Sequence, residues 1–455
     1  MSRTSSRELL ITLDRGDGPL YAQVEVQLRD AVRGGRLAAG ERLPSSRALA
    51  DQLGVSRGVV VEAYGQLAAE GYLAVRPGAA PWVTAGAVAV TAGLVAAPAA
   101  PAPYDLRPGT PDLALFPRAA WAAAQRRALR EVPDADLGYP DPAGHPRLRV
   151  ALAAYLGRVR GVQAAPERIV VCGGVAEALA LVCRVLRADG ARRIGIEDPS
   201  HYGTRSLIRH AGLEPVPIPV DARGIVAGAL AAAAPDAVLV TPAHQFPTGV
   251  VLDPPRRAEL VAWARGAGAV VIEDDYDAEY RYDRHPVGAL QGLAPEHVVH
   301  VHSVSKTLAP GLRLGWAALP ARLGPAVADE KRLSDLGSPV LEQLTLAAFL
   351  QRGELDRHLR RTRLAYRRRR DALLTALAGV EVEGVAAGLH VLARLPAGRT
   401  EQAVVAAAAT RGVAVDALGP HVAGPPRAPA LLLGYTRLGE PALARAGARL
   451  RAVLD

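Results

Sequence analysis

The chain has 455 residues, half of them hydrophobic and 22% charged. This is globular composition, too long for one ordinary core, so two or more domains are expected and a disordered or fibrous chain is excluded. Cys172 and Cys183, the two cysteines, form no CxxC pattern and no cluster with histidines, which gives neither a disulfide framework nor a zinc site and fits a reducing, cytoplasmic setting. The net charge of +9 is compatible with a nucleic-acid partner, but residues 1–76 carry ten arginines against nine acids. Attraction to DNA would depend on where those arginines sit. The opening residues, MSRTSSRELLITLDRG, lack the apolar core of a signal peptide.

Three helices are expected between Leu20 and Gly71. The first spans Tyr21 to Arg33, with Leu20, Val24, Leu28 and Ala31 on one face. The second starts at a serine N-cap in LPSSRALADQLG and turns Leu49, Ala50 and Leu53 inward. Gly54 makes the turn. Ser56 is expected to cap a third helix whose core stripe is Val60, Ala63, Tyr64 and Leu67. After Gly71, YLAVRPGAAPWVT reads as two short strands around a Pro-Gly turn.

Helix, glycine turn and capped second helix make a helix-turn-helix. Arg57, Gly58 and Val61 would lie at the exposed start of the recognition helix, against base edges, with Ser56 beside them among the DNA-binding residues. Arg47 and Arg76 would neutralise phosphates. On pattern alone, a three-helix dimerisation module with solvated arginines competes. The words LPSSRALADQLGVSR, AY and LAAEGYL resemble the winged-helix heads of the GntR superfamily over about 65 residues. The resemblance implies double-stranded DNA as partner and a domain over residues 8–83. The wing tip departs from the family, with GAAPW in place of a glycine-threonine pattern.

No residue between Arg76 and Asp105 is charged, and the stretch is rich in Ala, Gly and Pro. Pro98, Pro101 and Pro103 break it, so residues 84–104 read as a linker rather than a membrane span.

The body, residues 105–455, alternates short apolar runs with helical stretches, an α/β rhythm. Strands are expected at Arg168–Cys172, Arg193–Glu197, Ala237–Thr241, Ala269–Asp274, Val298–Ser303 and Leu314–Ala318. A long helix from about Leu341 leads to shorter strands, read as a smaller C-terminal α+β domain at about 335–455. Ligands of open α/β sheets sit beyond the C-terminal strand ends. Gly173-Gly174, His201-Tyr202, His244, Asp274 and Ser303 to Lys306 all fall there.

Only two of the 54 basic residues are lysine, Lys306 and Lys331, and arginine cannot replace lysine in a Schiff base. The rim residues suit a phosphorylated aldehyde. Lys306 would form the imine, Asp274 would pair with a pyridinium nitrogen, and Tyr276 would bond the neighbouring phenolic oxygen. Ser303, Ser305, Arg313 and the backbone amides of Val175 and Ala176, after Gly174, would hold the phosphate. Taken singly, Asp274 reads equally as a turn cap and Lys306 as a surface lysine.

The strings GYPDPAGHPRLR, EDPSHYGTR, TPAHQFPTG, EDDYDAEYRYD, SVSKTLAPGLRLGW and YRRRRDAL resemble fold-type I aminotransferases. With the GntR-like head, the whole chain resembles the MocR family of bacterial regulators. The resemblance implies pyridoxal 5'-phosphate, Lys306 as its Schiff-base lysine, Asp274 and Tyr276 at the ring, Ser303 and Arg313 at the phosphate, and a homodimer. His201 or Tyr202 would stack on the ring, and His244 would join the cofactor set.

Two departures bear on function. Val175 stands where a threonine is frequent, and Leu432 stands near the carboxylate-gripping arginine of amino-acid-binding relatives. Arg437 and Arg394 are the candidates to replace that arginine. The basic run Arg357 to Arg370 reads as a solvated or subunit-facing helix. The expected function is a regulator that senses pyridoxal phosphate or an amino compound, with little or no sustained transaminase activity. The alternative is a working aminotransferase with an accessory DNA-binding head.

Overall fold

The computed structural model describes residues 9, 11–76, 79–84, 102–283 and 287–454. The chain divides into two compact units, 1–99 and 100–455.

In the first unit, helices Leu20–Arg33, Ser46–Leu53 and Arg57–Ala69 precede a hairpin of Leu73–Ala74 and Trp82–Val83. Val24, Leu28, Leu49, Val60, Ala63 and Leu67 close around the hairpin residues Leu73 and Val83. The amphipathic spacing therefore produced the helices it predicts. The Tyr64 hydroxyl donates to the Pro44 carbonyl at 2.9 Å, which ties the third helix to the chain before the second. Ser45 Oγ caps the second helix by accepting from the Ala48 amide. Ser56 occupies the N-cap of the third helix, but its side chain makes no capping bond, a correction to the expected cap. The Pro-Gly turn of the wing lies outside the described residues.

Most of the expected linker also lies outside them. Its last residue, Tyr104, belongs instead to a two-residue strand, Tyr104–Asp105, paired in parallel with Val413–Ala414.

The second unit is built on an eight-stranded sheet in the order Ile169–Cys172, Gly315–Ala318, Val298–Ser303, Val270–Asp274, Ala237–Val240, Arg193–Asp198, Glu214–Asp221, Gly224–Ile225. The five strands from Val298–Ser303 to Glu214–Asp221 run parallel. Gly315–Ala318 is antiparallel to both its neighbours. Runs such as AVLV and VVHVHS are buried throughout because helices cover both faces. The strand Glu214–Asp221 escapes sequence reading because Pro215, Pro217 and Pro219 argue against a strand interior. Alternate placement puts their missing amides on one side, and the outer neighbour pairs only at Val220 and Asp221, so few ladder bonds are lost.

The smaller domain holds a four-stranded sheet ordered Val382–Glu383, His390–Arg394, Ala430–Gly434, Asp416–Ala417. The helix Glu354–Ala376 leads into it, burying Leu355, Leu359, Tyr366 and Leu373. Its arginines point to solvent or to partners such as Asp112, 2.8 Å from Arg369, and Glu440, 2.9 Å from Arg368. Among the described residues no helix is long and apolar enough to cross a membrane.

Candidate functional site

A cavity of about 640 Å³ opens at the C-terminal ends of the parallel strands. Ten of the twelve residues expected to hold the cofactor line it: Val175, Ala176, His201, Tyr202, Asp274, Tyr276, Ser303, Ser305, Lys306 and Arg313.

One end of the cavity is built for an anion. The strand Ile169–Cys172 runs through Gly173 and Gly174 into the helix Val175–Ala188, whose first amides have no intrahelical partners. Gly174 does not line the cavity wall, but it permits the arrangement. Its φ is +123°, and a Cβ there would stand 3.1 Å from Arg313 Nη2. Arg313 itself adopts φ +50°, a left-handed conformation uncommon for a side-chain-bearing residue. The guanidinium and the helix start therefore face one point, near Ser303 and Ser305. Val175 supplies no hydroxyl there, so the donors are backbone amides, Arg313 and serine.

Lys306 lies in the turn after Val298–Ser303, and its Nζ donates to the Gly109 carbonyl. Burial lowers its pKa, partly offset by Asp274 and Asp277, which favours the neutral amine that attacks an aldehyde. Lys331 is the opposite case, locked between Glu177 and Asp335 by ion pairs.

Asp274 ends its strand in the cavity. Its Oδ1 is buried without a hydrogen-bond partner among the described residues. Burial pushes the carboxyl up to about 7, with His302 pulling the other way. The adjacent Asp275 is already engaged by Arg160 at 2.7 Å and His300 at 2.9 Å. Of the two neighbouring acids, Asp274 is thus the one free to meet a ligand.

His244 departs from expectation. It is absent from the cavity wall and sits behind Tyr276, with Nδ1 3.1 Å from the Tyr276 hydroxyl and 2.9 Å from Asp277 Oδ2. Gly388 packs against its ring so closely that a Cβ would lie 2.0 Å from Cε1. His201 caps the helix Tyr202–His210 through its Nδ1, which accepts from the Gly203 amide. Its ring stacks on Tyr202 with centroids 5.0 Å apart, and burial followed by Lys306 and Arg205 lowers its pKa. Tyr202 is 55% exposed. Both rings belong to exposed residues, and His201 is the one whose charge Lys306 disfavours.

Sequence reasoning missed Gly109, Phe246, His390, Asp416 and His421, which also line the cavity. Phe246 lies within TPAHQFPTG, one of the strings that carried the resemblance, and the other four had no such marker. Neither arginine proposed to replace the one missing at Leu432 is available. Arg437 pairs with Asp105, and Arg394 with Glu383 and the Ala428 carbonyl. Leu432 is fully buried among Leu392, Leu418 and Ala430, so this position is part of an apolar core.

In the first unit, Arg47, Ser56, Arg57, Gly58, Val61 and Arg76 are all exposed. Arg57 Nε reaches Ser46 Oγ at 3.3 Å, which steers it toward the second helix. The Arg76 guanidinium lies over the Trp82 ring of the wing at 5.3 Å.

Residues 20–83 match the bacterial regulatory proteins of the gntR family. Residues 105–427 match aminotransferase class I and II. The HTH-type pyridoxine biosynthesis transcriptional regulator PdxR of Corynebacterium glutamicum is 36% identical over 412 residues, 88% of each chain. The probable rhizopine catabolism regulatory protein MocR of Rhizobium meliloti is 33% identical over 468 residues, 96% of this chain and 94% of that one. The chain belongs to the MocR family. Among solved structures, the MocR-type body resembles LysN, the alpha-aminoadipate aminotransferase of Thermus thermophilus complexed with N-(5'-phosphopyridoxyl)-L-leucine. The two share a TM-score of 0.69 and 28% identity, over 77% of this chain and 91% of that chain.

The residues of this MocR-family cavity fit pyridoxal phosphate. The unpartnered Asp274 oxygen suits a protonated ring nitrogen, the space left by Gly174 beside Arg313 suits a phosphate, and Lys306 is the amine between them.

Proposed function

We propose that the chain is a cytoplasmic, homodimeric transcription regulator that binds operator DNA through its head and holds pyridoxal phosphate in its body. Its effector is pyridoxal phosphate itself. The observation that carries this reading is a cavity equipped for the cofactor but, among the described residues, without an arginine fork for a substrate carboxylate, since Leu432 is core and Arg437 and Arg394 are paired elsewhere.

Bound there, pyridoxal phosphate supplies an aldehyde for amine capture and an electron-withdrawing ring. Lys306, whose pKa burial lowers, would tie the cofactor down. Asp274, as a carboxylate, would pair with the protonated ring nitrogen, and Tyr276, braced by His244 and Asp277, would face the phenolic oxygen. Arg313, Ser303, Ser305 and the amides of Val175 and Ala176 would grip the phosphate, while His201 would cover the ring. Transamination also needs a substrate oriented for loss of its Cα proton, which a bidentate arginine usually supplies. In the head, Arg57, Gly58 and Val61 meet base edges, while Arg47, Ser56 and Arg76 contact the backbone. A dimer presents two such helices to two half-sites.

The similarity to PdxR supports the cofactor as signal. The test is turnover by the loaded protein with a panel of amino acids and 2-oxoglutarate. Slow single half-reactions are expected. Sustained turnover near the ~10 s⁻¹ of ordinary enzymes would make the protein an aminotransferase with an accessory head.

A further inference from the structure

A second cavity, of about 310 Å³, opens between the helices Pro146–Arg160 and Glu354–Ala376. Tyr155 and Glu279 line it, each only 5% exposed. The Tyr155 hydroxyl and Glu279 Oε2 both lack a hydrogen-bond partner among the described residues. Buried polar atoms in proteins are nearly always paired, and here two unpaired ones belong to side chains that line one cavity.

The rest of the wall carries four arginines, Asp356 and the apolar Val159 and Leu359. Arg160 is fully engaged by Asp275 and the Val287 carbonyl, and Arg158 shares its charge with Asp356 at 2.8 Å. Arg363 donates Nε to the Glu279 carbonyl at 2.9 Å and keeps its terminal nitrogens. No hydrogen bond or ion pair engages Arg360 among the described residues. Asp356, Arg360 and Arg363 stand at i, i+4 and i+7 on one helix, so they share the face that borders the cavity.

These groups select against simple ions. A small anion suits Arg360 and Arg363 but meets the Glu279 carboxylate. A small cation suits Glu279 but meets the arginines. A molecule with an ammonium and a carboxylate a few ångströms apart satisfies both. The volume lies at the lower end of the ~300–1,000 Å³ range of ligand pockets, which suits a single small molecule rather than a peptide.

We propose that this cavity binds a free α-amino acid, with its ammonium on Glu279 Oε2 and the Tyr155 hydroxyl and its carboxylate on Arg360 and Arg363. The site shares no lining residue with the cofactor cavity. Glu279 Oε1 is 3.0 Å from His302 Nε2, and His302 in turn acts on the Asp274 carboxyl.

The experiment uses protein loaded with pyridoxal phosphate and reduced with borohydride, so that amino acids cannot exchange with Lys306 at the cofactor. Calorimetric titration with glycine, L-alanine, L-leucine, L-lysine and L-glutamate should find at least one that binds saturably, one per chain. Acetate and methylamine, each carrying one pole, should bind at least tenfold more weakly. Arg360→Gln, at an exposed position, should fold, keep the cofactor band and lose at least tenfold in amino-acid affinity; Glu279→Gln should lose as much. Absence of saturable binding across the panel overturns the proposal. So does acetate binding as tightly as the best amino acid, or affinity that survives both substitutions.

Discussion

Replacing Asp274 by asparagine should stabilise the empty body and weaken its hold on the cofactor. Burial raises the carboxyl from its ordinary 3.8 to about 7. That gap of roughly three pH units, at 1.36 kcal/mol each, makes an ionised Asp274 cost about 4 kcal/mol in the empty site. Because the folded value lies above the unfolded one, this cost is absent below about pH 4, where both states are protonated. It grows as the pH rises toward about 7 and is constant beyond. Near pH 8 and without cofactor, Asp274→Asn should therefore unfold a few degrees higher than the parent, with little difference near pH 4. With pyridoxal phosphate the order reverses. A pyridinium proton beside the carboxylate recovers that energy, and asparagine carries no charge to meet it. The cofactor dissociation constant of the variant should rise by up to about three orders of magnitude. Thermal unfolding followed by circular dichroism at the two pH values, with equilibrium dialysis of the cofactor, measures both effects. Equal stability of the two empty proteins near pH 8, or an unchanged cofactor affinity, would refute the reasoning.

Three further outcomes follow from the same geometry. Lys306→Ala should abolish the visible band of lysine-bound pyridoxal phosphate while leaving far-ultraviolet circular dichroism intact; borohydride label recovered on Lys331 in the parent would collapse the site assignment. Arg57→Ala should weaken specific operator binding by ~1–3 kcal/mol with cofactor absorbance unchanged, as fluorescence anisotropy would show. Val175→Thr adds a hydroxyl at the phosphate end of the cavity, and a hydrogen bond to a charged group, worth about 1.5–3 kcal/mol, should tighten cofactor binding about tenfold or more.

The parts of the site legible in the sequence lie on the parallel strands. A buried strand announces itself as an apolar run, and its C-terminal end names the rim residues, which is how Asp274, Tyr276, Ser303 and Lys306 were found together. The head was legible for a similar reason, since the stripe Val60, Ala63, Tyr64 and Leu67 has helical spacing and is buried as expected. What escaped depends on contacts distant in sequence. The Gly109 carbonyl lies 197 residues from the lysine it accepts from, and His390 and His421 reach the cavity from the smaller domain. His244 was placed in the right neighbourhood and the wrong layer, because periodicity cannot tell a wall residue from one behind it. The proline-rich strand Glu214–Asp221 defeated propensity because its tolerance of proline follows from its position in the sheet.

The central claim is that the body's cofactor governs the head's grip on DNA. Fluorescence anisotropy of labelled operator DNA, titrated with the cofactor-free protein in the presence and absence of pyridoxal phosphate, tests it most directly, with Lys306→Ala measured alongside. The account predicts a cofactor-dependent change in operator affinity that disappears in Lys306→Ala. Identical binding curves for the parent protein with and without pyridoxal phosphate, while the visible band shows the cofactor bound, would contradict it.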